Sequence, residues 1–147
     1  MSKRSANLRR NAKAKLRHPG TPASTGYARY LKLVLSLPGA EESTSYGTPG
    51  VKVKGKLLSR LRTEAEGGLA LRCKILDRHI LLLADPESFY LTDHYLEYPW
   101  VLIRLDKISS SSLSDVVQRA WRLVAPKKMV TEFDRMNSTA KWARLQQ

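Results

Sequence analysis

The stretch VKVKGKLLSRLRTEAEGGLALRCKI (51–75) decides the fold. Its odd positions carry Val51, Val53, Leu57, Leu61, Leu69, Leu71, Cys73 and Ile75; its even positions carry Lys52, Lys54, Lys56, Arg60, Arg62, Arg72 and Lys74. A period of two is what a β-strand produces when one face lies on a core and the other meets water. Leu58 and Ala70 break the pattern on the polar side, and Ser59 breaks it on the apolar side. Gly55 suits a tight turn between two lysines, and Glu66-Gly67-Gly68 suits a second. The stretch is therefore predicted to be a three-stranded meander. Its wet face holds the seven cations, with the only carboxylates, Glu64 and Glu66, in the second turn. A concentrated positive field on a rigid sheet points to a polyanionic partner.

Upstream, Thr21-Pro22 or Thr25 can start a helix in which Tyr27, Tyr30, Leu31, Val34 and Leu35 recur at helical spacing, and Pro38-Gly39 ends it. Residues 41–50 read as a polar connection into the strands. Downstream, Asp77 is a plausible cap for a short helix ending at Ala84, with Ile80, Leu81 and Leu83 expected inside. Two further strands are predicted at Phe89–Thr92 and Trp100–Leu105, separated by residues 93–99. Ser112-Leu113-Ser114-Asp115 has the spacing of a capping box. Behind it Leu113, Val116, Val117, Ala120, Trp121 and Val124 form an apolar stripe that Pro126 closes. Weaker helical segments follow around Met129–Met136 and Ala140–Leu145. The order helix, three strands, helix, two strands, helix predicts an α+β domain with helices backing an antiparallel sheet.

The net charge of +13 over 147 residues is unevenly distributed. Residues 1–29 carry eight Lys or Arg and no acid, residues 30–118 carry eleven of each sign, and residues 119–147 carry seven basic and two acidic residues. The middle is neutral and the excess sits at the ends. Residues 1–20 are read as a basic, disordered arm whose Lys3, Arg4, Arg9, Arg10, Lys13, Lys15 and Arg17 add phosphate contacts. Residues 21–128 are read as the domain, and 129–147 as a basic, weakly helical extension. The single cysteine can form no intramolecular disulfide and no zinc site alone. No apolar run approaches the roughly 20 residues of a membrane span. A cytoplasmic protein without a membrane partner is expected.

Three separated blocks carry a family resemblance: LPGAEESTSYGTPGVKVKGKLLSRL (37–61), LTDHYLEYPWVLIRL (91–105) and AWRLVAPKK (120–128). Together, over roughly residues 25–128, the chain resembles the MmcQ/YjbR family of small bacterial proteins. The resemblance implies a YjbR-like α+β fold with a double-wing arrangement of strands, and DNA binding. Residues 1–20 and 129–147 fall outside it.

Catalytic and metal chemistry find little support. His18 lies in the arm, and His79 has no second ligand at helical spacing. Asp93-His94 is the one pair in which a carboxylate could orient an imidazole, yet no nucleophile accompanies it. Cys73 reads as a small core residue. Gly47, Gly50 and Gly55 match no phosphate-binding loop, and the carboxylates suggest no metal cage; neither metal nor cofactor is expected. Tyr90, Tyr95, Tyr98 and Trp100 cluster around the second strand pair and could stack on unpaired bases. The favoured reading places Tyr90 and Trp100 in the core and takes Tyr95–Pro99 as an ordered loop, with Trp142 as an exposed aromatic. The favoured function is a non-enzymatic, weakly selective DNA-binding protein that holds phosphates with Lys52, Lys54, Lys56, Arg60, Arg62, Arg72 and Lys74. The alternatives are a protein or small-ligand interaction module whose basic face is merely solvated, and an enzyme of unknown activity.

Overall fold

Tyr27, Tyr30 and Val34 bury one face of α1 (Pro22–Val34), the stripe at intervals of three and four expected of a helix lying on a sheet. The structure is a computed structural model that describes residues 22–146. Beyond α1 come β1 (Ala40–Ser45), β2 (Thr48–Val53), β3 (Lys56–Leu61), β4 (Leu69–Arg72), α2 (Ile75–Ala84), β5 (Phe89–Tyr90), a 3-10 turn at Asp93–Tyr95, β6 (Trp100–Ile103), α3 (Ser110–Val124) and α4 (Lys127–Leu145). The strands form one antiparallel sheet in the order β1-β2-β3-β4-β6-β5. This is the α+β architecture predicted, with one strand more than expected.

The additional strand is β1, which the polar run 41–50 concealed. Glu41, Glu42 and Thr44 are exposed, as befits an edge strand whose charges discourage pairing with another chain. It turns back into β2 through Tyr46 and Gly47, both at positive φ (53° and 79°), the two-residue geometry that matches strand twist. Lys54 and Gly55 repeat it at φ 48° and 86° between β2 and β3. Backbone pairing, not hydrophobic alternation, holds β1 in place.

A bulge reshapes the alternating stretch. Val51 pairs with Ser59 but Lys52 pairs with Leu57, so Leu58 is the extra residue. Leu58 and Ser59 both turn inward and are fully buried, whereas Leu57 joins Lys52 on the opposite face. The period-two assignment of Leu57 to the core is thus reversed. The inward hydroxyl of Ser59 accepts a 2.5 Å hydrogen bond from Tyr30, joining α1 to the sheet. Burial pushes the Tyr30 hydroxyl above its ordinary titration range.

On α3 the full stripe from Leu113 to Val124 is buried as predicted. The cap lies earlier than the expected Ser112: the Ser109 side chain accepts from the Ser112 amide at 3.2 Å. Ile108 and Leu113, both buried, then occupy the positions of a hydrophobic staple. Four consecutive serines offer several caps, and the staple selects among them. The Trp121 indole donates to the Pro38 carbonyl at 2.8 Å. Gly26 lets α1 approach Leu105 so closely that a Cβ there would lie 2.6 Å from the Leu105 Cβ.

The tail is one continuous helix. Met129, Val130 and Phe133 of α4 pack against the core, with Phe133 4.9 Å from the Trp121 ring, and Arg122 grips Asp134 with two bonds of 2.9 and 2.6 Å. The expected boundary at residue 128 therefore falls inside a helix that the domain holds. Trp142 is exposed, as read from the sequence.

α2 corrects a larger expectation. Ile80 and Leu83 are 64% and 84% exposed and Leu81 is only half-buried, while Arg78 is buried at 5%. The helix lays its cation inward and a stripe of Leu76, Ile80 and Leu83 outward. Hydrophobicity alone assigned the wrong side, because Arg78 finds acceptors that no apolar side chain could satisfy.

Candidate functional site

Residues opposite each other on paired antiparallel strands share a face. Arg60 lies opposite Ala70, Ala70 opposite Leu102, and Leu102 opposite Tyr90, a row across four strands on the side turned away from α1 and α3. A second row brings Lys52 opposite Leu57 and Arg72 opposite Trp100, with the Arg72 Nε donating to the Leu57 carbonyl at 3.0 Å. Arg62 extends the same face just beyond β3. Four of the seven expected cations, Lys52, Arg60, Arg62 and Arg72, thus meet on one surface. The other three do not. Lys54 and Lys56 flank Gly55 at an exposed hairpin tip, and Lys74 precedes α2 beside a separate groove with Cys73, Asp77 and Ile80.

The shared arginines are seated rather than waving in solvent. The side chains of Arg60 and Arg62 are only 15% and 10% exposed. Arg60 donates to the Ser45 carbonyl at 3.3 Å and lies over the Tyr46 ring; Arg62 donates to the Gly67 carbonyl at 3.2 Å and lies over Tyr95. Arg72 lies 4.9 Å over Trp100. Each guanidinium is thus paired with an aromatic face, which fixes its plane by cation–π attraction. The Nε of Arg62 is buried and has no hydrogen-bond acceptor among the described residues.

Between these groups lies a recess of about 890 Å³, lined by Arg60, Arg62, Glu66, Tyr95, Tyr98 and Trp100 together with Tyr46, Leu57, Ala70 and His94. That volume lies within the range of ligand sites. Glu66 brings its carboxylate to 3.8 Å from Arg60 and 4.0 Å from Arg62. Its acidity is strengthened first by the Thr63 amide, then by the Thr63 hydroxyl and the two arginines. The turn that carries it needs glycine: Gly67 and Gly68 have φ of 76° and 83°, and any Cβ on Gly68 would collide with the Tyr90 hydroxyl.

The aromatic wall is held from behind by Arg78. Its Nη1 donates to the carbonyls of Tyr95, Tyr98 and Trp100 at 3.1, 2.8 and 3.1 Å, and its Nη2 to that of Leu96 at 2.8 Å. His94 sits edge-on to Tyr95 at 4.9 Å and tilted to Tyr98 at 6.2 Å. Trp100 and Tyr90, expected in the core, stand instead on the open face. Trp100 lies beneath Arg72 in the recess, and the Tyr90 hydroxyl donates to the Gly67 carbonyl at 3.3 Å. Their partners Arg72 and Leu102 put them there.

Among the described residues no hydrogen bond joins the Asp93 carboxylate to His94, and no cluster of His, Cys, Asp and Glu has the makings of a metal site. Cys73 is buried, and its thiol is pushed up to about 11, first by burial and then by Asp77, against the opposing effects of Arg78 and Arg119. It is no ready nucleophile. His79 is exposed on α2. His18 and the arm cations Lys3, Arg4, Arg9, Arg10, Lys13, Lys15 and Arg17 lie outside the described residues. No described helix is long and apolar enough to cross a membrane.

Sequence reading missed Tyr46, Glu66 and Arg78 as parts of this site. Arg78 left a signal, a lone cation within ILDRHILLLA, whose meaning depends on carbonyls 17 to 22 residues away.

A family model described as YjbR matches residues 35–123. Uncharacterized proteins of Mycobacterium tuberculosis (strain H37Rv) and of Mycobacterium bovis are each 30% identical over 79 residues, 52% of this chain. The chain spans 61% of the length of these relatives. The crystal structure of the Deinococcus radiodurans protein DR2400, with the domain DUF419, superposes with a TM-score of 0.56 at 22% identity, covering 66% of this chain and 76% of that one. The likeness is one of fold.

Proposed function

The chain belongs to the YjbR family, and from that premise we propose that it is a non-enzymatic, weakly selective nucleic-acid-binding protein that holds phosphates on the open face of its sheet. The observation that carries this is the gathering of Lys52, Arg60, Arg62 and Arg72 on one face of the sheet, turned away from α1 and α3, in a chain whose 30–118 segment is neutral overall. Cations on phosphates fix position and charge without reading sequence. The basic arm adds contacts whose strength depends on salt. Lys54 and Lys56 extend the positive edge at the hairpin tip, and DNA is the polyanion this surface is expected to meet.

Fluorescence anisotropy with labelled DNA across a salt series tests the reading. Log affinity should fall with log salt by roughly 0.9 per duplex phosphate neutralised. A variant carrying Lys52→Glu and Lys56→Glu should bind more weakly and with a shallower slope. If deletion of residues 1–20 abolishes binding while that variant binds normally, the arm and not the sheet is responsible. Absence of binding by every form at low salt would leave the face a solvated surface of an interaction module.

A further inference from the structure

We propose that the recess on the sheet face is a subsite for one unpaired nucleotide of a single-stranded nucleic acid. The base stacks on the wall of Tyr95 and Tyr98, and its phosphate lies on Arg60 and Arg62 where Glu66 now stands. This rests on the reading of the face as a nucleic-acid surface and names the form of nucleic acid it takes.

The recess differs from a phosphate grip in being walled by rings. A grip needs only exposed cations. Here three of the four shared cations are pressed against aromatic faces, and Tyr98 remains 55% exposed with no partner for its hydroxyl among the described residues. A duplex keeps its base faces stacked inside and offers nothing to such a wall. An unpaired base offers a π-face that any aromatic can stack on, whatever the sequence. His94 packs against both rings.

Two features of the floor point to an anion. The Arg62 side chain is nine-tenths buried and lines the recess, and its Nε, buried with it, has no acceptor among the described residues. The Glu66 carboxylate already stands beside both arginines, but at 3.8 and 4.0 Å, outside the range of a strong charge-assisted hydrogen bond. Glu66 marks the place of an anion without filling it well. It rides on a turn with two left-handed glycines, Gly67 and Gly68, and is 44% exposed. A backbone phosphodiester brings two non-bridging acceptor oxygens to the same arginines and displaces the carboxylate.

The test uses anisotropy at low salt with a labelled oligo(dT), an abasic oligomer of equal phosphate count, a duplex of equal length, and thymidine monophosphate. Oligo(dT) is expected to bind roughly tenfold tighter than the duplex or the abasic oligomer. Tyr98→Ala should lose about that factor for oligo(dT) and leave duplex affinity unchanged, while Tyr98→Phe, which keeps the ring, binds as the native protein does. Glu66→Gln should tighten oligo(dT) binding by about two- to fivefold, the worth of one repulsive charge near 4 Å in water. Equal affinity for oligo(dT), abasic oligomer and duplex, with no effect of Tyr98→Ala, overturns the subsite and leaves the sheet face a pure phosphate grip. Tight binding of the monophosphate without tighter binding of oligo(dT) overturns it in favour of a free-nucleotide site. Failure of every nucleic acid to bind removes the underlying reading instead.

Discussion

Replacing Arg78 by methionine should be the most damaging single change to the site, although residue 78 touches no ligand surface. Arg78 is 5% exposed, and its guanidinium donates to four carbonyls of residues 95–100. Nη1 serves three of these acceptors with two hydrogens, so the bonds are shared. A hydrogen bond involving a charged group contributes about 1.5–3 kcal/mol net. Full additivity is not expected for four bonds from one group, and the carbonyls of exposed Leu96 and Tyr98 can regain water. Loss of about 3–4 kcal/mol follows, a drop in Tm of roughly 10–15 °C for a chain of this size. Methionine keeps the apolar stem and leaves no buried charge, so the loss reports on the carbonyl contacts. Arg78→Lys should recover part of it, since an ammonium satisfies at most three acceptors. Thermal melts followed by far-ultraviolet circular dichroism give the stability, and the ring resonances of Tyr95 and Tyr98 report whether the wall has moved. Arg119→Ala, which breaks only the exposed pair with Asp115, is the control and should cost under about 1 kcal/mol. An Arg78→Met protein that melts within about 2 °C of the native one, with those resonances in place, would refute the assignment of the wall to Arg78.

Gly68→Ala should destabilise by about 2–3 kcal/mol, combining a left-handed φ with the collision against Tyr90. Adding Tyr90→Phe should restore about half in a denaturant titration, because it relieves the collision and not the φ. Leu76→Gln and Leu83→Gln together should change stability by no more than about 1 kcal/mol, since both side chains face solvent; a loss of several kcal/mol would mean that α2 is turned the other way. Asp134 is held below its ordinary value of 3.8, first by its hydrogen bonds from Arg122. A carboxyl depressed in the folded state stabilises when ionised, so its contribution is present above that ordinary value and lost as pH falls through the lower folded value. An acid titration of the Trp121 indole proton should therefore show a transition in the native protein that Asp134→Asn lacks.

Much of this fold is local and so was open to sequence reasoning. The alternation from Val51 to Arg72 specifies strands because every second side chain of a pleated ribbon meets the same surroundings, whereas Ile75, read as the end of the same run, opens α2 and is exposed. The stripe from Leu113 to Val124 specifies α3 for the same reason at a helical period, and Gly55 marks its turn by its own freedom at positive φ. The division of charge, neutral in the middle and basic at both ends, is also a property of the chain alone, as is the block pattern that resembles the family.

Long-range pairing decided the rest. β1 exists because its backbone finds β2, and its side chains carry no trace of that. One extra residue at Leu58 exchanged the faces of Leu57 and Leu58, and only the partner strand fixes where such a bulge falls. Trp100 and Tyr90 went to the open face through their register with Arg72 and Leu102. Arg78 went inward because a distant loop presented four carbonyls to it. The sequence by itself therefore determined that a basic sheet forms on an α+β domain. Tertiary structure alone decided which four cations share it and that aromatic rings wall them in, since both depend on contacts between residues far apart in the chain.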